Sequence, residues 1–581
     1  MIKKLLKSVR EYKLYAILTP LLVAGEAAMD VLIPYIMARL IDNGIEKGDL
    51  FYTWKIGIML ALVCIIALVF GMFSGITAAK ASTGFAANLR HDMYYKIQNY
   101  SFSNIDKFSP ASIVTRLTTD VNNVQNAFQM IIRVAVRAPL MLIFAVSMAF
   151  SINARLSLIF ITVIPILGGG LLFIIKKAHP VFEKVFKLYD KLNNVVAENL
   201  HGIRVVKSFV REERENKKFN EVSTEIYKNF SKAEKIIAFN SPLMQFSMYF
   251  CIILISWFAA HFIVQSGNNP ENGFTTGLLM TLISYASQIL MSLMMLSFVF
   301  VMITISRASA ERIVEVLDEE SDIVSPENAV TEVKDGSIVF ENVDFSYAKD
   351  KNKLCLSGVD LTINAGETVG IIGGTGASKT TLVHLIPRLY DVTTGSVRVG
   401  GKDVREYDIK ALRDEVAVVL QKNVLFSGTI KENLRWGKED ATDEEIMHAC
   451  ALACADEFIE TFSDKYDTHI EQGGANVSGG QKQRLCIARA LLKKPKILIL
   501  DDSTSAVDTA TDAKIRRAFR EEIPDTTKII IAQRISSVQE ADKIIVLDDG
   551  KVNDVGTHAE LLERNSIYRE VYTSQQKGAM E

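Results

Sequence analysis

Residues 236–306 read IIAFNSPLMQFSMYFCIILISWFAAHFIVQSGNNPENGFTTGLLMTLISYASQILMSLMMLSFVFVMITIS and carry one formal charge, at Glu271. The chain average of 23% charged residues would place about 16 charges in a stretch of this length. A polar run at 267–273 divides the stretch into two apolar segments, each longer than the roughly 20 residues that cross a bilayer. The stretch therefore predicts two membrane-spanning helices.

Four further apolar segments precede this stretch, at Tyr15–Arg39, Ile56–Ala79, Ala138–Asn153 and Leu156–Ile175. The alternative, buried helices of a large soluble protein, fits less well because such helices usually run 8–20 residues and carry a polar face. We therefore predict six spans. Glu26 and Asp30 lie in the first, and they should face a neighbouring helix or a wet cavity because a charge in lipid is costly.

Basic residues flank the spans unevenly, which predicts their orientation. They cluster before the first span and after the fourth, at Lys3, Lys4, Lys7, Arg10, Lys176, Lys177, Lys184, Lys187 and Lys191. The loops 42–52, 152–155 and 266–273 hold only Lys47 and Arg155. The excess of Lys and Arg on the cytoplasmic side of membrane proteins places both termini in the cytoplasm. Charged segments at about 79–127 and 176–235 then form intracellular loops, as helices that continue out of the membrane.

The average composition hides this organisation. The 581 residues are 49% hydrophobic with a net charge of −2, which resembles a soluble enzyme and gives no global positive charge for nucleic-acid binding. From about residue 325, strand-like runs alternate with helical ones, at Ser337–Phe340, Thr368–Ile372, Lys496–Leu500, Lys528–Ala532 and Lys543–Leu547. This pattern predicts an α/β domain with a largely parallel sheet. The expected organisation is an all-α transmembrane domain at 1–318, a linker at 319–335 and an α/β domain at 336–581.

A phosphate-binding loop follows the strand Thr368–Ile372 and precedes an apolar helix, which is the context that this motif requires. Its residues are Gly373, Gly374, Thr375, Gly376, Ala377, Ser378, Lys379, Thr380 and Thr381. Backbone N–H groups of the loop would hold phosphates. Lys379 would reach the β and γ phosphates, and the Thr380 hydroxyl would bind Mg²⁺. Ser378 stands where the pattern usually has glycine, so weakened or altered binding is expected.

Two more segments fit a nucleotide site. Asp501 and Asp502 follow the strand Lys496–Leu500, and an acid at the carboxyl end of a buried parallel strand suits Mg²⁺ coordination through water. The alternative for this pair is two solvated turn acids. Residues 476–484 read NVSGGQKQR, where Ser-Gly-Gly precedes a helix and leaves backbone donors at its positive end. Alone, this second anion site is equally well explained as an ordinary capped helix.

Together these motifs resemble an ATP-binding cassette exporter in which six spans are fused to one cassette. Their order carries the resemblance: Lys379, Gln421, Val477–Gln481, Asp501 and Ser505–Asp508. Residues 105–108 and 202–209 also resemble the intracellular loops of such exporters, so the resemblance covers nearly the whole chain. It implies an ATPase-coupled transporter that uses ATP and Mg²⁺, crosses the cell membrane several times and keeps its cassette in the cytoplasm.

The resemblance also implies residue roles. Tyr347 matches the aromatic residue that stacks on adenine, although core packing would also explain a tyrosine there. Gln421 matches the glutamine that reaches Mg²⁺ and the attacking water. Asp508 lies in the loop that contacts the partner cassette. The signature clamps the γ-phosphate bound to the opposite cassette, and it consists of Val477, Ser478, Gly479, Gly480 and Gln481. Two chains must therefore combine to complete each ATP site.

Three departures fall on this chain's own half-site. The family places a general-base glutamate where Asp502 stands and a switch histidine where Gln533 stands, and Ser378 replaces a loop glycine. A base must come within hydrogen-bond reach of the water, so a side chain shorter by one methylene can cost about 10²-fold in rate. The resemblance then predicts a subunit that hydrolyses ATP slowly or not at all at its own site. Its partner would be a second half-transporter that carries the catalytic glutamate.

Other functions stay open at this level. One is a homodimeric exporter with slow hydrolysis through Asp502, and another is an ATP-gated channel or sensor; the six spans argue against a soluble cassette acting on DNA. The substrate is expected to be drug-like or amphipathic, because a methionine-rich wall adapts to varied molecules. Helix packing explains the same side chains equally well. The residues concerned are Met280, Met291, Met294, Met295, Phe298, Gln245 and Gln288.

Overall fold

The computed structural model describes residues 1–270, 273–503 and 505–578; Glu271 and Asn272 of the polar run lie outside the described residues. The chain forms two compact units. The first contains residues 1–98 and 109–319, and the second contains residues 99–108 and 320–581. In the described part of the chain, six helices are long and apolar enough to cross a membrane, which confirms the predicted number of spans.

The first unit is helical throughout. Its long helices are Lys13–Leu40, Leu50–Gln98, Val121–Ile152, Ala154–His201, Glu212–Ile237, Asn240–Ser266 and Thr276–Asp318. Shorter helices are Ile2–Lys7, Pro110–Thr115 and Ile203–Ser208. The helix Leu50–Gln98 has 49 residues. At 1.5 Å per residue it is about 73 Å long, more than twice the thickness of a bilayer core, so the predicted helical extension is confirmed.

Apolar packing between the later spans holds the bundle together. Ala145 and Ala149 on the third span are fully buried against Leu167 of the fourth and Ile255 of the fifth. Small side chains let helix backbones approach closely, which favours van der Waals packing where lipid removes the hydrophobic driving force. Tyr285, also fully buried, donates its hydroxyl proton to the backbone oxygen of Val31 at 2.8 Å. The sixth span is thereby joined to the first.

The two acids of the first span face a neighbouring helix, as predicted. Arg137 of the third span lies with Nη1 3.1 Å from Glu26 Oε1, and its Nη2 donates to Asp30 Oδ2 at 2.7 Å. Ser74 of the second span donates to Glu26 Oε2 at 3.2 Å. One planar guanidinium therefore satisfies two carboxylates that would be costly in lipid.

The second unit contains two main sheets. Its strands are β1 Ile338–Phe345, β2 Leu356–Ile363, β3 Thr368–Gly373, β4 Thr394–Val399, β5 Lys402–Asp403, β6 Val416–Val419, β7 Gly428–Thr429, β8 His469–Ile470, β9 Ile497–Asp501, β10 Thr527–Ile531, β11 Lys543–Asp548 and β12 Lys551–Gly556. A six-stranded sheet has the order β12-β11-β3-β10-β9-β6, and only β12 runs antiparallel to its neighbour among these described strands. The α/β class and its largely parallel sheet are confirmed.

Helices cover this sheet on both faces. They are Lys379–His384, Ile409–Glu415, Ile430–Arg435, Asp443–Leu452, Asp456–Ile459, Gly479–Leu492, Thr509–Glu522, His558–Arg564 and Ser566–Gly578, with Phe102–Lys107 in the same unit. Alternate residues of a strand point to opposite faces. Accordingly, Leu498 and Leu500 of β9 pack into one buried cluster, while Ile497 and Ile499 pack into another. Both faces of the strand are buried, which explains its uninterrupted apolar sequence.

The predicted strand Ser337–Phe340 forms, as part of β1, but outside the parallel sheet. β1 lies in a separate four-stranded sheet of order β2-β1-β4-β5 and pairs antiparallel with β2 and β4. The physical reason is that a short apolar run fixes the burial of a strand and not its partner. The pairing is decided by connections such as 346–355, which return the chain to the neighbouring position.

Candidate functional site

Four loops meet at one edge of the parallel sheet. They follow β3, β6, β9 and β10, which run in the same direction, so their carboxyl ends lie together. This edge is where α/β sheets bind ligands. The phosphate loop follows β3, Gln421 follows β6, Asp502 follows β9 and Gln533 follows β10. The fold therefore brings together residues that lie as far apart in sequence as 373 and 533.

The phosphate loop turns tightly into the helix Lys379–His384. Gly376 has φ +88°, and Ser378 has φ 66° and ψ 27°, so both lie in the left-handed region. Lys379 Nζ donates to the backbone oxygens of Gly373 at 2.9 Å and Gly374 at 2.8 Å. Burial lowers the pKa of Lys379, and the charges of the neighbouring carboxylates oppose that shift. The ammonium group is thus held over the loop, where phosphate would contact it.

The glycines of the loop differ in how much space lies beside their α-carbons. A Cβ at Gly373 would lie 2.3 Å from the backbone oxygen of Leu547, so this position is closed by the neighbouring strand. Gly374 and Gly376 have open space around the Cβ direction. At these two positions a ligand can approach the backbone closely, as phosphate binding requires.

Asp501 has the environment of a cation ligand. Its side chain is 2% exposed, and its Oδ1 accepts a hydrogen bond from Thr380 Oγ1 at 3.0 Å. Its second carboxylate oxygen is buried and has no hydrogen-bond partner among the described residues. Burial raises the pKa of Asp501. A buried orphan oxygen beside a threonine hydroxyl fits the oxygen ligands that Mg²⁺ prefers, so the residues present suit this ion.

The two positions that depart from the family pattern contact each other. Gln533 Nε2 donates to Asp502 Oδ2 at 2.7 Å, and Asp502 has φ 50°. Burial raises the pKa of Asp502, while hydrogen bonds from Gln533 and from Gln421 stabilise its charged form and oppose the shift. Two amides therefore compete for the carboxylate oxygens that a general base would offer to water.

Tyr347 lies beside the phosphate-loop helix. Its hydroxyl and the Thr381 hydroxyl are 3.0 Å apart, and its ring packs edge-on against Phe345 and Tyr390 at centroid distances of 4.8 and 5.1 Å. The residue is 48% exposed. Because two perpendicular rings and a hydrogen bond hold Tyr347 and about half of the residue stays exposed, its ring can stack on a flat base. The core-packing alternative therefore accounts for only part of the side chain.

Sequence reasoning missed Tyr390, which joins this aromatic group to the short segment 99–108. Its hydroxyl donates to Asp106 Oδ2 at 2.6 Å, and Phe102 packs edge-on against its ring. Burial and the neighbouring Asp106 carboxylate both raise the pKa of Tyr390. No local pattern marks these residues as neighbours, since they are separated by 284 positions.

The signature begins a helix and is fixed to a nearby loop. Ser478 caps the helix Gly479–Leu492 in a reciprocal arrangement: its hydroxyl accepts from Gln481 N, and its own N–H donates to Gln481 Oε1 at 2.9 Å. A Cβ at Gly480 would lie 2.8 Å from the backbone oxygen of Ala506, so this glycine permits close packing. Ala506 N also donates to Gln483 Oε1 at 3.0 Å, and Gln483 is a second residue that sequence reasoning missed.

Two signature side chains are thus occupied in the cap, and backbone N–H groups remain at the helix start. Asp508 is likewise used locally: its Oδ1 accepts from Thr511 N at 2.9 Å and caps the helix Thr509–Glu522. Any contact of Asp508 with a partner chain would therefore be made from a carboxylate already held in place. Val477 is buried beneath the start of the signature helix.

Family models match both parts of the chain. The model described as the ABC transporter transmembrane region matches residues 16–293, and the model described as ABC transporter matches residues 356–505. Among solved structures, a bacterial Atm1-family ABC exporter with ATP bound has a TM-score of 0.81 and covers 98% of both chains. Its sequence is 24% identical, so this likeness concerns the fold.

Curated relatives match over most of their length. The uncharacterized ABC transporter ATP-binding protein YfiB of Bacillus subtilis is 37% identical over 573 residues, which are 99% of this chain and 98% of the relative. The protein YknU of the same organism, similarly described, is 35% identical over 84% of this chain and 82% of its own length. Rv1273c of Mycobacterium tuberculosis is 33% identical over 98% of this chain and 97% of its own length.

Proposed function

We propose that this chain, which belongs to the ATP-binding cassette transporter family, is the degenerate subunit of a heterodimeric exporter. The family membership is that of an exporter half-transporter with a transmembrane and an ATP-binding domain. It is a multi-pass membrane protein that uses ATP to drive transport. In this proposal, ATP is hydrolysed mainly at the half-site of a partner chain and slowly or not at all at the half-site of this chain.

The hydrogen bond from Gln533 to Asp502 carries this proposal. An aspartate side chain is shorter by one methylene than the glutamate of the family, so it holds its carboxylate farther from an attacking water. The hydrogen bonds from Gln533 and Gln421 toward Asp502 oppose the rise in its pKa that burial causes, and they occupy carboxylate oxygens that an attacking water would need to contact. Gln533 also lacks a positive charge and does not titrate. These effects act in the same direction, toward slow or absent hydrolysis at this half-site.

ATP would still bind here. Tyr347 would stack on adenine, Lys379 would contact the β and γ phosphates, and Thr380, Gln421 and Asp501 would hold Mg²⁺. The ion, when bound, neutralises phosphate charge. Ser378 places a side chain where glycine is usual, and its backbone N–H remains available.

The signature of this chain would serve the partner. The helix start at Gly479 presents free backbone N–H groups at the positive end of a helix dipole, which suits a γ-phosphate bound to the opposite cassette. ATP binding at both sites would close the cassettes and switch the transmembrane domains from inward-facing to outward-facing. Hydrolysis at the site that combines this signature with the partner's catalytic glutamate would reset the transporter. Asp508 would contact the partner cassette.

The proposal extends to topology and cargo. We assign residues 1–318 to the transmembrane domain, 319–335 to the linker and 336–581 to the nucleotide-binding domain, with both termini in the cytoplasm of the cell. The distribution of Lys and Arg around the spans supports this orientation. A small amphipathic or drug-like substrate is supported by the exposed Met280, Met291, Met294 and Met295 on the sixth span.

Purification of the full chain alone and together with a second half-transporter tests the proposal. The chain alone should bind ATP and hydrolyse it slowly, and the pair should hydrolyse it much faster. A Lys379→Ala variant of this chain should lower ATP binding at its own site. Substantial hydrolysis by the chain alone, abolished by Lys379→Ala, would refute the heterodimer proposal in favour of a homodimeric exporter. Ion currents through the reconstituted pair, without substrate accumulation, would instead support a gated channel.

A second experiment addresses the half-site directly. Asp502→Glu combined with Gln533→His restores the family residues, and we expect faster hydrolysis at this site when the partner's catalytic glutamate is replaced by glutamine. Asp502→Asn serves as the matched control, because it keeps the length of the side chain and removes its basicity. No gain from the restoring pair would show that other residues silence the site.

A further inference from the structure

The C-terminal helix Ser566–Gly578 contacts the loop that carries Gln533. Gln575 Nε2 donates to the backbone oxygen of Gln533 at 2.7 Å, and its Oε1 accepts from Ile535 N at 2.9 Å. One side-chain amide therefore binds the backbone on both sides of Arg534. An amide is suited to this because it offers a donor and an acceptor side by side, as a neighbouring strand would.

The helix that presents Gln575 is itself fixed. Tyr568 is fully buried in the main core of the second unit, and its backbone N–H donates to Asn565 Oδ1 at 2.9 Å. The Tyr568 hydroxyl is 2.8 Å from His558 Nδ1, and Tyr572 packs against the same histidine ring. Gln575 lies less than one turn beyond Tyr572, on a helix that the core holds in place.

The loop itself needs such support. After β10 ends at Ile531, residues 532–534 form no helix or strand. Ala532 N still donates to the backbone oxygen of Ile371 at 3.4 Å, and Gln533 and Arg534 lie beyond this last bond to the neighbouring strand. Gln533 reaches Asp502 only while its own backbone is correctly oriented, because rotation about that backbone would move Nε2 away from the carboxylate. Its side chain lies at the position from which the family contacts the γ-phosphate.

We propose that Gln575 is a positioning residue of this ATP half-site: it fixes the backbone around Arg534 so that the side chain of Gln533 can contact Asp502 and the γ-phosphate. This inference rests on the proposed function in one respect, that Gln533 occupies the switch position. The C-terminal helix thereby contributes to the recognition of ATP, although it lies outside the sequence motifs of the site.

The proposal predicts selective loss of triphosphate recognition. Gln533 can contact a γ-phosphate, whereas the phosphate loop and Lys379 hold the β-phosphate that ADP shares with ATP. A loosened switch loop should therefore weaken binding of a triphosphate and leave ADP binding nearly unchanged. A residue that merely stabilises the fold would affect both nucleotides together.

Gln575→Met tests this in the full chain, reconstituted in nanodiscs. Methionine keeps the length of the side chain and removes both hydrogen bonds. Gln576→Met, the adjacent exposed glutamine, is the matched control. Binding of azido-AMP-PNP and azido-ADP would be measured by photolabelling of this chain. We expect Gln575→Met to weaken AMP-PNP binding to this chain about three- to tenfold, which corresponds to loss of one hydrogen bond from Gln533 to the γ-phosphate. ADP binding should weaken by less than about twofold.

Equal weakening of both nucleotides, or no change in either, would overturn the proposal. Should Gln575→Met fail to fold, Gln575→Glu keeps the acceptor for Ile535 N–H and replaces the donor to the Gln533 backbone oxygen by a charged acceptor, which repels that oxygen. The same split between AMP-PNP and ADP is expected for it, and absence of the split in this folded variant would count against the proposal. Because the readout is binding, it is independent of whether the site hydrolyses ATP, so failure of the heterodimer proposal would be recognised separately.

Discussion

Replacement of Ser378 by glycine should relieve strain in the phosphate loop. Ser378 has φ 66° and ψ 27°, and its side chain makes no capping hydrogen bond to the helix that it precedes. The left-handed region costs a residue with a Cβ about 1–2 kcal/mol. Glycine removes this cost, but its greater conformational freedom in the unfolded chain destabilises the folded state by about 0.5–1 kcal/mol. The net gain in folding free energy is therefore roughly 0–1.5 kcal/mol.

The same substitution should raise ATP affinity modestly. Strain favours loop conformations other than the one that presents backbone N–H groups to phosphate, and glycine would populate the binding conformation more fully. Since about 1.4 kcal/mol corresponds to a factor of ten, the gain in affinity should be at most about tenfold. ATP affinity would be measured by photolabelling of the full chain, and stability by thermal unfolding.

Lys494→Gly is the matched control. Lys494 also has a positive φ, 50°, and is exposed, but it precedes β9 and therefore lies at the edge of the parallel sheet opposite the four site loops. Its substitution should raise the unfolding temperature as Ser378→Gly does and leave ATP affinity unchanged. The reasoning about Ser378 is refuted if Ser378→Gly lowers stability, or if it leaves both quantities unchanged while Lys494→Gly stabilises.

Three further predictions concern single side chains. Arg137→Leu should destabilise the full chain in detergent by about 1–3 kcal/mol, because it leaves the carboxylates of Glu26 and Asp30 without their cation; a fully buried ion pair would lose more. Arg137→Lys should destabilise the chain less. Equal stability of the original chain and both variants in thermal unfolding would contradict this. Burial raises the pKa of Asp501, so its charged form destabilises the cassette above that pKa and the lost stability returns as pH falls. Asp501→Asn should therefore raise the Mg²⁺-free unfolding temperature at about pH 8, flatten its rise toward about pH 4, and weaken Mg²⁺-dependent ATP binding. Tyr347→Leu should weaken ATP binding about 5- to 100-fold, as expected for one stacked base, while Tyr347→Phe should retain most of it in the same photolabelling assay.

Part of the site was predictable because its chemistry depends on residues that are adjacent in sequence. Residues 373–381 form a loop whose function follows from glycines, a lysine and a threonine at fixed spacing, and the structure gives that loop the expected strand and helix on either side. Asp501 was predictable for a related reason, since it ends a wholly apolar strand. The contact between Gln533 and Asp502 required the sheet, because it joins the ends of two parallel strands that are separated by a helix.

Other features have no local signal. Gln575 is one of two adjacent glutamines in a polar helix, and nothing in that helix distinguishes the one that binds the loop after β10. The pairing of Tyr390 with Asp106 depends on the second unit including residues 99–108, which a reading along the chain would assign to a loop between spans.

The sequence by itself determined which parts of the chain suit a lipid environment and which suit water, and it determined the chemistry of the nucleotide motifs. Runs of uncharged residues have one favourable environment, and a phosphate loop has one favourable backbone, so both follow from composition and spacing. Tertiary structure alone decided which strand β1 joins, that Arg137 satisfies Glu26 and Asp30 together, and that amides hold Asp502. These outcomes depend on distances between residues far apart in sequence, which only the packed fold sets.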